Sequence, residues 1–290
     1  MELSGSLMIQ LLLSGLGMGF IFALIAMGLS LIYGVMNVVN FAHGEFLMLA
    51  MYASYLAFAV LGLDPLLTLP AVTAALFLFG VAVYYLLVRR VLRGSMHSQI
   101  FATFGLMVFL QAAAHFAMGA DYYAISDSLL SGVVEIGDVT LLLPQVAAVI
   151  GASIATLLLY WFVFRTGLGR SLRAAAQDRQ AALALGINVD RMYALAWGLG
   201  AACVGVAGSL LSNYYYVFPR VGVVFVLLAY VTVALGGFGS IHGALIGGII
   251  IGVLQVFAGF FVSSQLKFVP VYLLYLVVVL LRPRGLVGRA

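Results

Sequence analysis

Charged residues are so sparse along this chain that they divide it into long apolar runs. Each run can be compared with the roughly 20 residues that a helix needs to cross a bilayer. The runs without Asp, Glu, Lys or Arg are residues 3–44, 46–63, 65–88, 94–120, 139–164, 192–219, 221–266 and 268–281. The run 221–266 is long enough for two crossings. This pattern predicts an all-α, polytopic integral membrane protein with about eight to nine transmembrane helices.

Two glycine-rich segments interrupt the apolar pattern. Residues 33–45 place several polar side chains between two apolar stretches, and residues 234–252 contain the sequence Gly-Gly-Phe-Gly followed by His-Gly. We therefore predict interrupted helices near residues 37–44 and 236–243. Within the second segment, glycines recur at four-residue spacing at Gly239, Gly243, Gly247, and then at Gly248 and Gly252. Such spacing lets helix backbones approach closely in lipid.

Composition agrees with the membrane interpretation. The 290 residues are 65% hydrophobic and 8% charged, so the apolar surface cannot all be placed in one soluble core. A single cysteine, Cys203, excludes an intrachain disulfide. The N-terminus carries Glu2 and no basic residue before its first apolar stretch, which is unlike a cleaved signal peptide and indicates a retained span. We expect a single transmembrane domain over residues 1–290, with the charged segment 165–191 inside it.

Basic residues are unevenly distributed along the chain, which predicts its orientation. They cluster as Arg89, Arg90 and Arg93, as Arg165, Arg170, Arg173, Arg179 and Arg191, and as Arg282, Arg284 and Arg289. The positive-inside rule places these loops in the cytoplasm. Between the first two clusters, residues 121–138 carry Asp121, Asp127, Glu135 and Asp138 and no Lys or Arg, so we expect that loop outside. Arg220 and Lys267 then fall outside as exceptions, and the C-terminus is expected inside.

Residues 165–191 form the only long, strongly charged stretch of the chain. Within it Asp178 is placed to N-cap a short helix over Arg179–Leu185, and Gly186 is placed to end that helix at C′. Such a helix is about 10 Å long and cannot span a bilayer. A compact, capped helix between two apolar spans suits insertion into a groove on a soluble partner.

Six residues at the two predicted breaks are candidates for a substrate pathway: Asn37, Asn40, His43, Glu45, Gly237 and Gly239. Transporters place half-helix N-termini and a few polar groups near the midplane, where free N–H groups can meet a substrate carboxylate. A structural alternative is that Asn40 N-caps the next helix, with Glu45 near the positive end of its dipole. For the glycine ladder, the alternative is close packing without any gating role.

Several motifs are absent from the sequence. The chain has one lysine, Lys267, and no G-x-x-x-x-G-K-S/T, so it cannot bind ATP by a P-loop of its own. No H-E-x-x-H, G-x-S-x-G or Cys/His metal spacing occurs, and we predict no catalytic residues and no metal site. A proton-coupled secondary carrier or channel acting through His43 and Glu45 stays open as an alternative, but it leaves the capped helix unexplained.

Three stretches carry a resemblance to a known family. Residues 28–49, which include Tyr-Gly-Val-Met-Asn-Val-Val-Asn-Phe-Ala-His-Gly-Glu, together with residues 236–244 and Arg-Pro-Arg-Gly-Leu at 282–286, resemble the permease subunits of branched-chain amino acid ABC importers. The resemblance covers nearly the whole chain. Residues 180–186, Gln-Ala-Ala-Leu-Ala-Leu-Gly, also resemble the E-A-A-x-x-x-G coupling motif of bacterial importers. Here Gln180 replaces the acidic residue, and Ala-Trp-Gly-Leu stands where the motif continues Ile-x-Leu-Pro.

The resemblance implies one subunit of a multi-protein importer in the bacterial inner membrane. Two cytoplasmic ATPase subunits would use ATP and Mg, this chain itself would bind no cofactor, and an extracytoplasmic binding protein would deliver substrate. A second, related permease would complete the pathway, as a heterodimer in preference to a homodimer, and no nucleic acid is involved. The expected coupling residues are Asp178, Arg179, Gln180, Ala181, Ala182 and Gly186. Branched-chain or other neutral amino acids are the expected substrates, with urea or short amides as the alternative.

Overall fold

The computed structural model describes residues 5–92, 94–126 and 128–287. Arg93 and Arg289 of the basic clusters, Asp127 of the acidic loop and Glu2 lie outside the described residues. The helices are α1 Gly5–Met36, α2 His43–Leu61, α3 Pro65–Val83, α4 Arg89–Val91, α5 Met96–Met118, α6 Leu143–Arg165, α7 Gly167–Gln177, α8 Arg179–Ala184, α9 Val189–Leu211, α10 Val221–Gly236, α11 Ile241–Phe261 and α12 Val269–Leu281. A π-helical stretch, Tyr84–Val88, joins α3 to α4, and two strands, β1 Val133–Ile136 and β2 Val139–Leu142, lie between α5 and α6.

Most of these helices are long and apolar enough to cross a membrane. Seven spans in the described residues meet that criterion, counting α3, the π-helical stretch and α4 as one, and α10 and α12 are shorter apolar helices. The all-α, polytopic class is therefore confirmed, with seven long spans and two shorter apolar helices where about eight to nine transmembrane helices were expected.

One small β-hairpin was not predicted. Strands β1 and β2 pair antiparallel with Ile136 opposite Val139, which leaves Gly137 and Asp138 as a two-residue turn. Gly137 has a φ of 61°, the left-handed conformation that such tight turns require. β-Branched residues on both sides of Gly-Asp are the sequence signal for this hairpin. The charge-free run 139–164 predicts a single helix and so conceals the second strand.

The bundle has two distinct ends. At one end, Arg89 begins the short α4 that completes the α3 span, Arg165 ends α6, and Arg282 follows α12. We call this the arginine end. The hairpin end carries β1 and β2, and there the Gln10 side chain near the start of α1 donates to the Thr140 carbonyl over 2.9 Å. Asp64, which N-caps α3, accepts a hydrogen bond from the Leu129 amide over 2.6 Å. Consequently α2 ends where α1 begins, and these two helices run in opposite directions.

Both predicted breaks lie where the glycine-rich segments placed them. Helix α1 ends at Met36, followed by Asn37 with a φ of 54°, and α10 ends at Gly236, followed by Gly237 with a φ of 103°. At each break the chain reverses its direction. For α10 and α11 the reversal is tight, because a Cβ atom on Gly243 would meet the backbone of Gly236.

Helices α1 and α9 form the centre of the bundle. Helix α1 packs most extensively on α11, and α9 on α3. Glycines allow the α1–α11 contact: a Cβ atom on Gly248 would meet the backbone of Ala23, and one on Gly252 would meet the backbone of Gly19. The prediction that the glycine ladder lets helix backbones approach closely is confirmed.

A substitution in this ladder tests the packing. We expect Gly248→Ala to destabilise the protein by about 1–3 kcal/mol, because a methyl group has no room against the α1 backbone. The measurement is the thermal unfolding midpoint in detergent. Gly259→Ala is the matched control on α11, since a Cβ atom there meets only Lys267 Cβ at 3.6 Å, an ordinary contact. Equal midpoints for the two variants would contradict the packing argument.

Candidate functional site

Helix α2 begins deep inside the bundle. A ring nitrogen of His43, its first residue, lies 3.0 Å from the carbonyl oxygen of Ile25, in the interior of α1. From Ile25 to the end of α1 at Met36 the helix rises about 16 Å. The residues between α1 and α2 therefore turn back along α1, and α2 starts well within a hydrocarbon layer that is about 30 Å thick.

Helix α10 begins at the same depth. A Cβ atom on Gly44 would meet the Gly222 carbonyl, and one on Gly222 would meet the Gly44 carbonyl, so the first turns of α2 and α10 are in backbone contact. From this contact α2 runs to the hairpin end and α10 to the arginine end. Neither N-cap residue, Ala42 or Arg220, makes a side-chain capping hydrogen bond. Two positive helix ends thus lie side by side inside the membrane layer.

Buried polar side chains surround this meeting point. Glu45, in the first turn of α2, is fully buried, and its Oε1 accepts a hydrogen bond from Gln111 Nε2 of α5 over 2.8 Å. Asn40 is also buried, and its Oδ1 accepts from the amide of Ala42 over 3.1 Å. Asn40 therefore stabilises the turn before α2, whereas the N-cap position of the helix itself belongs to Ala42.

Several atoms of this cluster have unsatisfied hydrogen-bonding capacity. The atoms Asn40 Nδ2, His43 Nδ1 and Glu45 Oε2 are buried without a partner in the described residues. The Tyr230 hydroxyl of α10 is also buried without a partner in the described residues. The centre of the Tyr230 ring lies 5.6 Å from that of the Phe41 ring. Buried polar groups are normally paired, so these donors and acceptors can form hydrogen bonds with a polar solute or with water.

The structure brings together three of the six pathway candidates. Asn40, His43 and Glu45 lie at the start of α2, whereas Asn37, Gly237 and Gly239 lie at the arginine end, where a Cβ atom on Gly34 would come 3.0 Å from Gly239 Cα. Sequence reasoning missed Gln111. Its signal was an amide in the middle of the charge-free run 94–120, but only the tertiary structure shows that it faces Glu45.

The capped helix of the charged segment is present as predicted. Asp178 Oδ1 accepts from the amides of Gln180 and Ala181 over 2.8 and 3.0 Å. The helix ends at Ala184, one residue earlier than predicted, and Gly186 adopts a φ of 77°. At this end the Gly186 amide donates to the Leu183 carbonyl and the Ile187 amide to the Ala182 carbonyl, each over 3.0 Å, which is the Schellman arrangement.

A polar network attaches this segment to the bundle. Asp190, in the first turn of α9, accepts a hydrogen bond from the Tyr84 hydroxyl over 2.6 Å and pairs with Arg89 over 3.0 Å. Tyr84 is buried in the π-helical stretch that joins α3 to α4. The network thus joins the end of the α3 span to the start of α9, the helix that follows α8 in the chain. Within the described residues, no group of three or more His, Cys, Asp or Glu side chains could hold a metal ion.

These features define a class of protein. A bundle of apolar helices, with two helices that begin inside the membrane layer and a short capped helix at one end, is the architecture of a multi-pass membrane permease. Residues 11–281 match the family model described as branched-chain amino acid transport system / permease component. The chain therefore belongs to this family of ABC importer permeases, and it is a transport component rather than an enzyme.

Individual relatives align with this chain over most of their length. The chain is 34% identical to the high-affinity branched-chain amino acid transport system permease protein BraD of Pseudomonas aeruginosa, over 97% of this chain and 96% of that protein. It is 33% identical to the corresponding protein LivH of Salmonella typhimurium over the same shares. The probable permease protein LivH of Methanocaldococcus jannaschii is 27% identical over 89% of this chain and 86% of its own. None of the solved structures matches the chain.

The Glu45–Gln111 hydrogen bond can be tested by a double-mutant cycle. We expect Gln111→Leu to destabilise the protein by about 1–3 kcal/mol, because it leaves the buried Glu45 carboxyl group without its donor. The effect should largely disappear when Glu45→Leu, which removes the acceptor, is already present, and unfolding midpoints in detergent give the coupling. Gln99→Leu on the same helix is the control, since the described residues include no hydrogen-bond partner for the Gln99 side chain. Additive effects of the two substitutions would show that the pair does not interact.

Proposed function

We propose that this chain forms part of the translocation pathway for branched-chain or other neutral amino acids in a bacterial ABC importer. The observation that carries the proposal is the meeting of the α2 and α10 starts beside the buried Glu45. Family membership supports the importer class, and the relatives named above are branched-chain amino acid permeases.

The charges at the meeting point favour an amino acid over a neutral amide. Glu45 lies in the first turn of α2, and Arg220 immediately precedes α10, whose first turn contacts that of α2. Arg220 forms no ion pair within the described part of the chain. A zwitterion offers a carboxylate to the helix N-termini and to Arg220, and an ammonium group to Glu45. Urea or a short amide, the alternative substrate class, has no charges for these groups to match.

The arginine end is proposed to face the cytoplasm, with the C-terminus inside, as the positive-inside rule indicates. At this end α8 leaves Leu183 49% exposed and Leu185 78% exposed, while Ala182 packs inward. We assign the exposed leucines and the helix start at Asp178, Arg179, Gln180 and Ala181 to a groove on an ATPase subunit. The hairpin end would then receive the substrate-binding protein.

The mechanism follows from the attachment of α8. Two partner ATPase subunits bind ATP and Mg, since this chain contains no P-loop. Their closure would move α8, and the Asp190–Tyr84–Arg89 network would pass that movement to α9 and α3. ATP binding drives this change only by favouring one state of the bundle over the other. A second, related permease, distinct from this chain, would complete the pathway opposite α2 and α10.

A proton-coupled carrier is a second candidate function, because His43 and Glu45 are titratable groups buried two residues apart at the meeting point. This candidate predicts uptake by the chain alone under a proton gradient. It assigns no role to the caps of α8 or to its exposed leucines.

Uptake in proteoliposomes tests the proposed function. With the copurified ATPases, the partner permease and the binding protein present, we expect ATP-dependent uptake of radiolabelled leucine and no uptake of urea. Glu45→Gln should lower leucine uptake by about tenfold or more, equivalent to about 1.4 kcal/mol, because the ammonium group loses its charged partner. Glu135→Gln, at the exposed hairpin, is the matched control and should transport normally once copurification shows that it still binds the substrate-binding protein.

Three results of that experiment would count against the proposal. Uptake of urea in preference to leucine would change the substrate class. Transport by this chain alone under a proton gradient would make it a secondary carrier. Normal leucine uptake by Glu45→Gln would remove the start of α2 from the pathway.

The cap of α8 gives a test of coupling. Gly186→Val should abolish copurification with the ATPase subunits or ATP-driven uptake, because a β-branched residue is strained at a φ of 77°. Gly186→Asn is the matched control, since asparagine tolerates the left-handed region and a Cβ atom here meets nothing within 4 Å. If the valine variant assembles and transports like the asparagine variant, the cap has no role in coupling.

A further inference from the structure

A cavity of about 630 Å³ opens at the arginine end, away from the α2–α10 meeting point. Its walls are the last turns of α1 and α6, one face of α7, and the break between α10 and α11. This volume lies in the range of small-molecule sites, which is about 300–1,000 Å³. The importer mechanism above assigns it no role.

The cavity carries positive charge without any compensating acid. Arg170 and Arg173 of α7 line it, and none of its lining residues is Asp or Glu. Neither arginine forms an ion pair within the described residues. The Arg173 guanidinium lies 5.1 Å from the ring centre of Phe164, which holds it against the cavity wall. An anion is the ligand that this charge selects.

Backbone and hydroxyl groups add donors to the two arginines. Helix α11, 21 residues long, starts at the cavity, where Gly239 has a φ of 78° and Ser240 N-caps the helix by accepting from the Gly243 amide over 3.0 Å. The first-turn amides of Ile241 and His242 have no acceptor within the helix. On the α1 wall, the Ser30 hydroxyl is fully buried and has no hydrogen-bond partner in the described residues. These groups match the several acceptor oxygens of a phosphate.

The remaining lining and the position of α7 indicate where the phosphate comes from. Leu31, Val35 and Val163 make part of the wall apolar. Helix α7 is amphipathic, burying Leu172 and Ala175 while its arginines stay exposed, as in helices that lie at a membrane surface. Lipid phosphates lie at that level, next to acyl chains that suit the apolar wall, and basic pockets between transmembrane helices bind such head groups.

We propose that this cavity binds the phosphate group of an anionic phospholipid from the leaflet at the arginine end. The phosphate lies between Arg170, Arg173 and the start of α11, with Ser30 at the inner wall. Occupancy ties α7, and with it the α8 segment, to α1 and α11. The proposal is independent of which substrate the permease transports.

Lipid titration of the purified protein tests this site. Delipidated protein in detergent is titrated with short-chain phosphatidylglycerol, with short-chain phosphatidylcholine and with inorganic phosphate, while the unfolding midpoint is recorded. Saturating phosphatidylglycerol should raise the midpoint by about 3–6 °C, and phosphatidylcholine should raise it clearly less. Removing both charges with Arg170→Gln and Arg173→Gln should weaken phosphatidylglycerol binding by about tenfold or more, since each arginine contributes about 1 kcal/mol.

A matched control and a second variant keep the test decisive. Arg90→Gln with Arg191→Gln removes the same charge from exposed positions outside the cavity and should leave lipid binding unchanged. Ser30→Ala removes only the buried hydroxyl, so it reports on the site even if the double arginine variant fails to fold, and it should weaken binding by about threefold or more.

Each remaining outcome has one meaning. If inorganic phosphate alone reproduces the shift, the site and its chemistry stand and the ligand is a soluble phosphate. Equal responses to the two lipids, or an unchanged response in both cavity variants, would overturn the proposal. Loss of ATPase copurification in the arginine variant with normal lipid binding would also overturn it and would assign the arginines to a protein partner.

Discussion

The backbone contact between Gly44 and Gly222 decides at what depth α2 and α10 begin, and the candidate pathway depends on that depth. In hydrocarbon, a chain can leave helical structure only where protein or water satisfies its backbone groups. The contact meets this condition by burying both helix starts against each other and against α1, where the Ile25 carbonyl oxygen accepts a hydrogen bond from the His43 ring. Without side chains at the two glycines, the first turns touch directly.

The depth of this contact also brings polar side chains of different helices together. Glu45 and Gln111 belong to different helices and meet only because α2 starts deep enough to bring its first turn opposite the middle of α5. Arg220 is placed near the same point because it precedes α10. A buried carboxylate and two helix N-termini thus converge in a layer that is otherwise apolar, and Arg220 lies beside them in sequence but is exposed.

The arginine end is organised by different forces. Helix α8 is stabilised by its own local signals, an acidic N-cap and a left-handed glycine, and therefore holds its shape without packing on both sides. After α8 the chain enters α9, where Asp190 joins the start of α9 to Tyr84 and Arg89 at the end of the α3 span. The cavity at Arg170 and Arg173 belongs instead to α7, the helix that precedes α8.

The sequence by itself determined the features that depend on neighbouring residues and on solvent: the membrane class, the apolar helices, the breaks at residues 37 and 237, and the capped helix after Asp178. The free energy of transferring a segment into the membrane, turn preferences and helix capping each depend on neighbouring residues. They can therefore be predicted from the sequence alone. Only the tertiary structure decided that His43 packs at the level of Ile25 while Asn37 and Gly239 lie at the arginine end, that Gln111 faces Glu45, and that Arg170 and Arg173 line a cavity with Ser30. Those outcomes depend on which helix backbones approach most closely, and that is settled by packing between residues far apart in the chain.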